Sequence, residues 1–255
     1  MIHEEIFYLT VLGALLHDIG KLGWRGAGGG GHTHEYYSRE FVSGLPSPML
    51  PSGKLLDIKK LGEIVYRHHD EDLEDLEPDL RTAIRIIQAA DRRVSAIERE
   101  EVPTEEPEEP LESIFEKICI CIDRRNHGGQ EAHVYRPSPL QLDRDFIFPV
   151  KRGRLDKQEM RERSRELWRG LAGLRASLPR RIGRYIDTLY YMLKEYTSFT
   201  LSAGYKARPT APLFDHLKTT AAVASSLYLY CMEKGVSPKD LKQEAFALVF
   251  GDVSG

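Results

Sequence analysis

The sequence predicts a mainly α-helical fold whose helices turn metal-ligand side chains inward, and three observations predict it. The first is Leu15-Leu16-His17-Asp18-Ile19-Gly20-Lys21, which closes a stretch where Ile6, Leu9, Leu12, Leu15, Leu16 and Ile19 recur at helical spacing. The second is Asp91, a carboxylate in the middle of the apolar stripe Leu80, Ile84, Ile87 and Val94. The third is His216, which shares a helix face with Thr220, Val223 and Leu227. Each puts a polar group where a core residue belongs. A buried carboxylate is costly unless a cation or a metal compensates it, so the pattern asks for one.

A chain of 255 residues with 41% apolar content can form one large domain or two small ones. A net charge of -3 and a pI near 6.3 give no global preference for nucleic acid or acidic membranes, so any basic surface must be local. Cys119, Cys121 and Cys231 make neither a paired framework nor a zinc-binding Cys-x-x-Cys, which fits a reducing, cytoplasmic setting. No signal peptide and no bilayer-spanning apolar run are expected.

Taken in order, the first helix is expected to be buried, with Gly13 leaving room for close packing. Gly26 and Gly28 to Gly31 read as a surface loop, since no Lys-Ser/Thr ending makes them a phosphate loop. His34, Ser38 and Phe41 then open a helical stretch in which His34 can face the same cavity as the His-Asp pair. Residues 46–53 hold three prolines and are a turn-rich break. A helix is expected from Leu55 to His69, ending in His68-His69. Adjacent helical side chains diverge by about 100°, so both histidines reach one metal only over the helix end, or one of them serves a neighbouring role. The acidic run from Asp70 to Asp79 reads as a solvated connection.

The next helix runs from Leu80 to Ile97 and carries Asp91, which has either a metal or Arg92 and Arg93 as its partner. From Glu98 to Glu112 three prolines interrupt an acidic linker. A short apolar element follows at Ile114 to Ile122, where Cys119 and Cys121 are packing residues, and residues 123–150 look irregular. Residues 151–184 hold twelve Lys or Arg against four Asp or Glu, a local charge of +8. Arg161, Arg165 and Arg169 with Trp168 either hold a nucleic-acid backbone or form a solvated face laced by Glu159, Glu162 and Glu166. A helix over Arg180 to Tyr196 comes next, then the helix begun by His216, which Asp215 either caps or serves by orienting the ring. Ser237-Pro238 starts a further helix, and Ala245 to Phe250 reads as a buried strand.

Together His17, Asp18, Asp91 and His216 offer two imidazoles and two carboxylates, a set suited to Mn, Fe, Co, Ni or Zn. His34, His68 and His69 can complete a second site bridged by Asp18. Two divalent ions sharing a carboxylate activate water at neutral pH and clamp a phosphodiester, which is hydrolytic phosphate chemistry. Lys21, one turn after His17, is placed to neutralise a phosphate oxygen.

These residues resemble the HD-domain metal-dependent phosphohydrolases. The resemblance rests on LLHDIGK (Leu15 to Lys21), the later histidine with Ser38 and Phe41, His68-His69, and AADRRVSA (Ala89 to Ala96). It continues through PLESIF (Pro110 to Phe115), Phe148-Pro149, FDHLKTTAAVAS (Phe214 to Ser225) and the closing GDVSG. The segment similar to the family's first-histidine motif, around His216, comes last, so the HD fold looks circularly permuted. That order is similar to the large subunit of type III CRISPR effector complexes, the III-A type most fully, in which an HD nuclease precedes palm domains.

The resemblance implies single-stranded DNA cleavage within an RNA-guided antiviral complex. It implies one or two divalent ions, Mn, Ni or Co, as cofactors, and guide RNA, target RNA and the other complex subunits as partners, with no membrane. His17, Asp18 and Lys21 are the implied catalytic residues, and His17, Asp18, His34, His68, His69, Asp91 and His216 the metal set. The implied organisation is residues 1–97 as the first part of the HD domain and 98–210 as an acidic linker and basic insertion. Residues 211–244 are then the permuted last part, and 245–255 the start of a truncated palm domain. The chain stops before the Gly-Gly-Asp-Asp motif of cyclic oligoadenylate synthesis, so that activity lies outside it. An HD phosphohydrolase acting on a free nucleotide uses the same ligands, and a catalytically silent, metal-stabilised docking module would carry them too.

Overall fold

The computed structural model describes residues 3–98, 109–117, 132–202 and 210–241. Most of the acidic linker, Cys119, Cys121 and the expected strand from Ala245 to Phe250 lie outside the described residues. The helices are α1 (Glu4–Leu16), α2 (Gly20–Gly26), α3 (His34–Ser43), α4 (Ile58–Tyr66), α5 (Pro78–Glu98), α6 (Arg144–Ile147), α7 (Lys157–Gly173), α8 (Ile182–Thr197) and α9 (Leu213–Lys234).

Helix α1 is the axis of the fold. Leu12 to Leu16 are all buried, so no face is left for water, and α4, α5 and α9 pack around it. Such a helix is stabilised by tertiary burial rather than by its own amphipathicity. A methyl group on Gly13 would lie 2.7 Å from Ile64 Cγ2 and 2.8 Å from Ile87 Cδ1, so the glycine is what lets α4 and α5 approach. The Tyr228 hydroxyl of α9 donates to the His3 carbonyl oxygen at 3.0 Å and ties the last helix to the start of the first. By length and composition Glu4–Gly26 is apolar enough to cross a membrane, contrary to expectation, and most of that stretch is buried inside the fold.

Helix α4 is shorter than expected at both ends. The Asp57 side chain accepts from the Lys59 and Lys60 amides and fixes its start. At its end Arg67 leaves helical geometry and its guanidinium donates to Asp70, Asp75 and the Asp72 carbonyl oxygen. The acidic run, still largely exposed, is thereby held in place by Arg67, with Arg81 and Arg85 bonding Glu74 and the Glu71 carbonyl oxygen. Helix α9 stops at Gly235, whose φ of 63° is the left-handed conformation that glycine adopts without steric cost.

Residues 123–150 were expected to be irregular and Glu98 to Glu112 to be a linker, and their described parts join in a small antiparallel sheet. Strands β1 (Leu111–Glu112), β2 (His133–Tyr135) and β3 (Val150–Lys151) pair in that order, with Glu112 and Val150 both opposite the buried Val134. Strands of two or three residues are too short to display alternation in sequence.

Helix α7 carries the middle of the basic region. Met160, Ser164, Leu167 and Leu171 form its buried face, and Leu167 and Leu171 join the same apolar cluster as Leu12 and Ile19. Arg161, Arg165 and Arg169 lie at i, i+4 and i+8 on the exposed side.

Candidate metal centre

Four helices and two turns deliver the polar groups to one buried point. His17 ends α1, Asp18 occupies the turn before α2, His34 opens α3, Asp91 comes from α5 and His216 from the first turn of α9. His68 and His69 follow α4 instead of ending it, which frees them from the angular divergence of helical neighbours. Their rings lie 3.9 Å apart, side by side.

Two ligand sets form. In the first, His17, Asp91 and His216 each present an atom within 4.8 Å of the others. Asp18 Oδ2 joins them, 3.4 Å from both His17 Nε2 and His216 Nε2, and Asp91 Oδ1 lies 3.4 Å from His216 Nε2. In the second, Asp18, His34, His68 and His69 converge in the same way, with Asp18 Oδ1 3.1 Å from His34 Nε2 and 3.5 Å from His68 Nε2. One carboxylate therefore faces both sets, one oxygen to each.

Three features fit this donor set to a divalent metal. The carbonyl oxygens of Ala14 and Val65 lie 2.8 Å from Nδ1 of His17 and His68 and can only accept, so those nitrogens carry the protons and each Nε2 keeps a lone pair turned inward. Next, Asp18 Oδ1, His34 Nε2 and His68 Nε2 are buried with no hydrogen-bond partner, a costly arrangement that a cation would relieve. Finally, the protonation states suit ligation. Burial pushes the His17 imidazole down to about 3 against the pull of Asp18, and burial with His68 pushes His69 down to about 4. Burial opposes the charge on Asp18 and Asp91, yet Lys21 and His17 at the one and His216 and His17 at the other hold both carboxyls below their usual range.

Lys21 Nζ lies 2.5 Å from Asp18 Oδ2. It supplies part of the compensating charge that the sequence pattern demanded. Asp91 is bonded by Ser95 at 2.9 Å, and Arg93 donates instead to the Ala89 carbonyl oxygen. Asp215 neither caps α9 nor orients His216: it pairs with Lys218 at 2.6 Å and is half exposed. Trp168 packs against Gly23, Tyr37 and Phe41, so its ring is committed to joining α7 to α2 and α3. Arg165 donates to the Gly26 carbonyl oxygen at 3.1 Å.

Two features were not foreseen from the sequence, the first being the role of Ser38, which had been marked only by its helical spacing and motif. The Ser38 hydroxyl accepts from the Gly20 amide at 2.9 Å and donates to the His17 carbonyl oxygen at 2.7 Å, clamping α3 and hence His34 against the His-Asp turn. Its signal was the four-residue spacing from His34. A cleft of about 270 Å³, lined by His68, His69, Asp70, Glu71, Arg85, Gln88, Asp91 and Arg92, opens onto the ligand sets, and of its outer residues Arg85 and Gln88 had drawn no attention.

Metal-free protein is expected to lose stability on acidification. The unfolded chain takes a proton on each imidazole below about pH 6.5, whereas folded His17 resists until about 3, so stability falls as pH drops through that window. The slope reaches about 1.4 kcal/mol per pH unit for each such histidine. His69 adds less because half of its side chain is exposed. Urea midpoints at pH 7 and pH 5 measure this, and equal midpoints would contradict the buried neutral imidazole.

Residues 3–96 match the HD domain family. These residues form an HD domain. Over nearly its whole length the chain is also homologous to Cas10/Csm1 proteins of subtype III-A CRISPR systems. It is 29% identical over 282 residues to the single-strand-specific deoxyribonuclease Cas10/Csm1 of Methanocaldococcus jannaschii, covering 96% of this chain and 33% of that protein. To the deoxyribonuclease of the same name from Thermococcus onnurineus it is 27% identical over 271 residues, covering 98% and 31%. The chain thus spans about a third of the length of these relatives. Among solved structures, a Csm1–Csm4 cassette in complex with pppApApA superimposes with a TM-score of 0.59 at 21% identity, over 92% of this chain and 29% of that one. Csm1 of T. onnurineus gives 0.54 at 22% identity, over 87% and 28%. These likenesses establish the fold around the HD domain. Helix α9 packs on α1 and α5 and brings His216 to the centre.

Proposed function

We propose that the chain is the nuclease part of a Cas10/Csm1-type subunit, hydrolysing phosphodiester bonds of single-stranded DNA within a type III CRISPR complex. The observation that carries this reading is the pair of ligand sets sharing Asp18, in a chain homologous to single-strand-specific deoxyribonucleases. His17, Asp18, Asp91 and His216 hold one ion, and Asp18, His34, His68 and His69 a second. Imidazole and carboxylate together suit Mn, Ni or Co. When bound, such ions supply an activated water and neutralise phosphate oxygens.

The chain's own residues do the rest. Backbone carbonyls lock the His17 and His68 tautomers, Ser38 holds α3 in place, and Lys21 offers a cation to Asp18 or to a phosphate oxygen. Arg92, exposed at the cleft and with no partner among the described residues, is free to meet the strand. Arg161, Arg165 and Arg169 extend a basic stripe for its backbone, with Trp168 supporting that stripe from beneath. The HD fold comprises residues 1–97 and 211–244, with 98–210 inserted and 245–255 leading into a palm domain. Guide RNA, target RNA and the other complex subunits are the partners, and the setting is the cytoplasm.

The test is cleavage of end-labelled single-stranded DNA by Mn-loaded protein, alone and in the assembled complex, beside double-stranded DNA, RNA and free nucleotides. Single-strand-selective cleavage supports the proposal. Turnover of nucleotides without DNA cleavage would assign a nucleotide phosphohydrolase instead. Metal-dependent melting with no hydrolysis in either setting would leave a docking module.

A further inference from the structure

The second ligand set holds three histidines and one carboxylate, which it shares with the first set and with Lys21. For a divalent ion that is little negative charge. Glu35, the residue after His34 at the start of α3, stands beside it. Its Oε1 lies 3.4 Å from His34 Nε2 and 3.9 Å from His69 Nε2. Its Oε2 is buried without a hydrogen-bond partner, and the side chain is 17% exposed. No Lys or Arg pairs with it among the described residues; its only ion-pair partners are those two histidines. A carboxylate so placed is costly unless a cation faces it.

We propose that Glu35 is a further ligand of the ion held by Asp18, His34, His68 and His69, the inference resting on the two-ion reading above. It gives that ion a carboxylate of its own and an added hard oxygen donor, which favours Mn over softer ions. It also makes α3 the carrier of two ligands, so that the Ser38 clamp positions both. An acidic residue in a first helical turn is favoured by the helix dipole as well. That role would affect stability and leave metal affinity unmoved.

Calorimetric titration with Mn²⁺ at fixed pH separates the two roles, using wild-type protein and Glu35→Gln, with thermal melting of the metal-free proteins to show that both are folded. Wild-type protein is expected to bind two ions. Glu35→Gln is expected to keep one affinity within about twofold and to weaken the other at least about tenfold. Two wild-type affinities in a folded Glu35→Gln protein would overturn the assignment while leaving the two-ion reading intact. Binding of one ion or none by the wild-type protein would remove that reading, and the Glu35 assignment with it.

Discussion

The Asp18→Asn protein is expected to lose both metal ions and, with them, at least about 10³-fold in cleavage rate. Asp18 Oδ2 belongs to the His17, Asp91 and His216 set, and Oδ1 to the His34 and His68 set. An amide keeps one oxygen, turns the other position into a donor and removes the shared charge, so neither set stays complete. Metal chemistry contributes several kcal/mol to such hydrolyses, and each 1.36 kcal/mol is tenfold in rate. Folding should survive, because Lys21 is partly exposed and can turn its ammonium to water. Elemental analysis and single-strand cleavage read the two effects together. Retention of two ions by the Asp18→Asn protein would show that the carboxylate is not the bridge.

Gly20→Ala is expected to be the most damaging small substitution in the described core, costing about 3 kcal/mol or more. The added methyl group would overlap the His34 carbonyl oxygen and the Ser38 amide nitrogen, and would lie 2.7 Å from Ser38 Oγ. Two of these are backbone atoms, so relief requires α3 to move away from α2. The Ser38 bonds to Gly20 and His17 would break, and His34 would leave Asp18. Gly13→Ala is the informative contrast. Its methyl meets side-chain atoms of Ile64 and Ile87 rather than backbone, so the clash needs a smaller shift, and alanine also favours the helix by about 0.5–1 kcal/mol. Urea denaturation of the two variants should rank Gly20→Ala far below Gly13→Ala. The opposite order would contradict the α2–α3 contact on which the second ligand set depends.

Much of the centre was legible because a polar residue inside a helical apolar stripe has few explanations. His17-Asp18, Asp91 and His216 stood out on periodicity alone, although only the fold could show that α9 returns to α1 and α5. What was hidden depended on where helices stop. His68 and His69, read as helical neighbours, could share a metal only over the helix end, and the exit of Arg67 from helical geometry is what lets both join Asp18. Glu35 was hidden for a related reason. At a helix start an acid reads as a dipole partner, and its position against His34 and His69 exists only after Ser38 has docked α3. The small sheet escaped because its strands, two or three residues long, are too short to repeat an alternating pattern. Trp168 read as part of a basic run that could hold a nucleic-acid backbone, whereas its indole packs into the space left by Gly23, beside Arg161 and Arg165, which run along Gly28 and Gly26.

The measurement that tests the central claim most directly is anomalous diffraction from crystals of the protein grown with Mn²⁺, collected on both sides of the manganese edge. The account predicts two anomalous peaks, one among His17, Asp91 and His216 and one among His34, His68 and His69, with an Asp18 oxygen bonded to each. A single peak, or two peaks that Asp18 does not join, would contradict it.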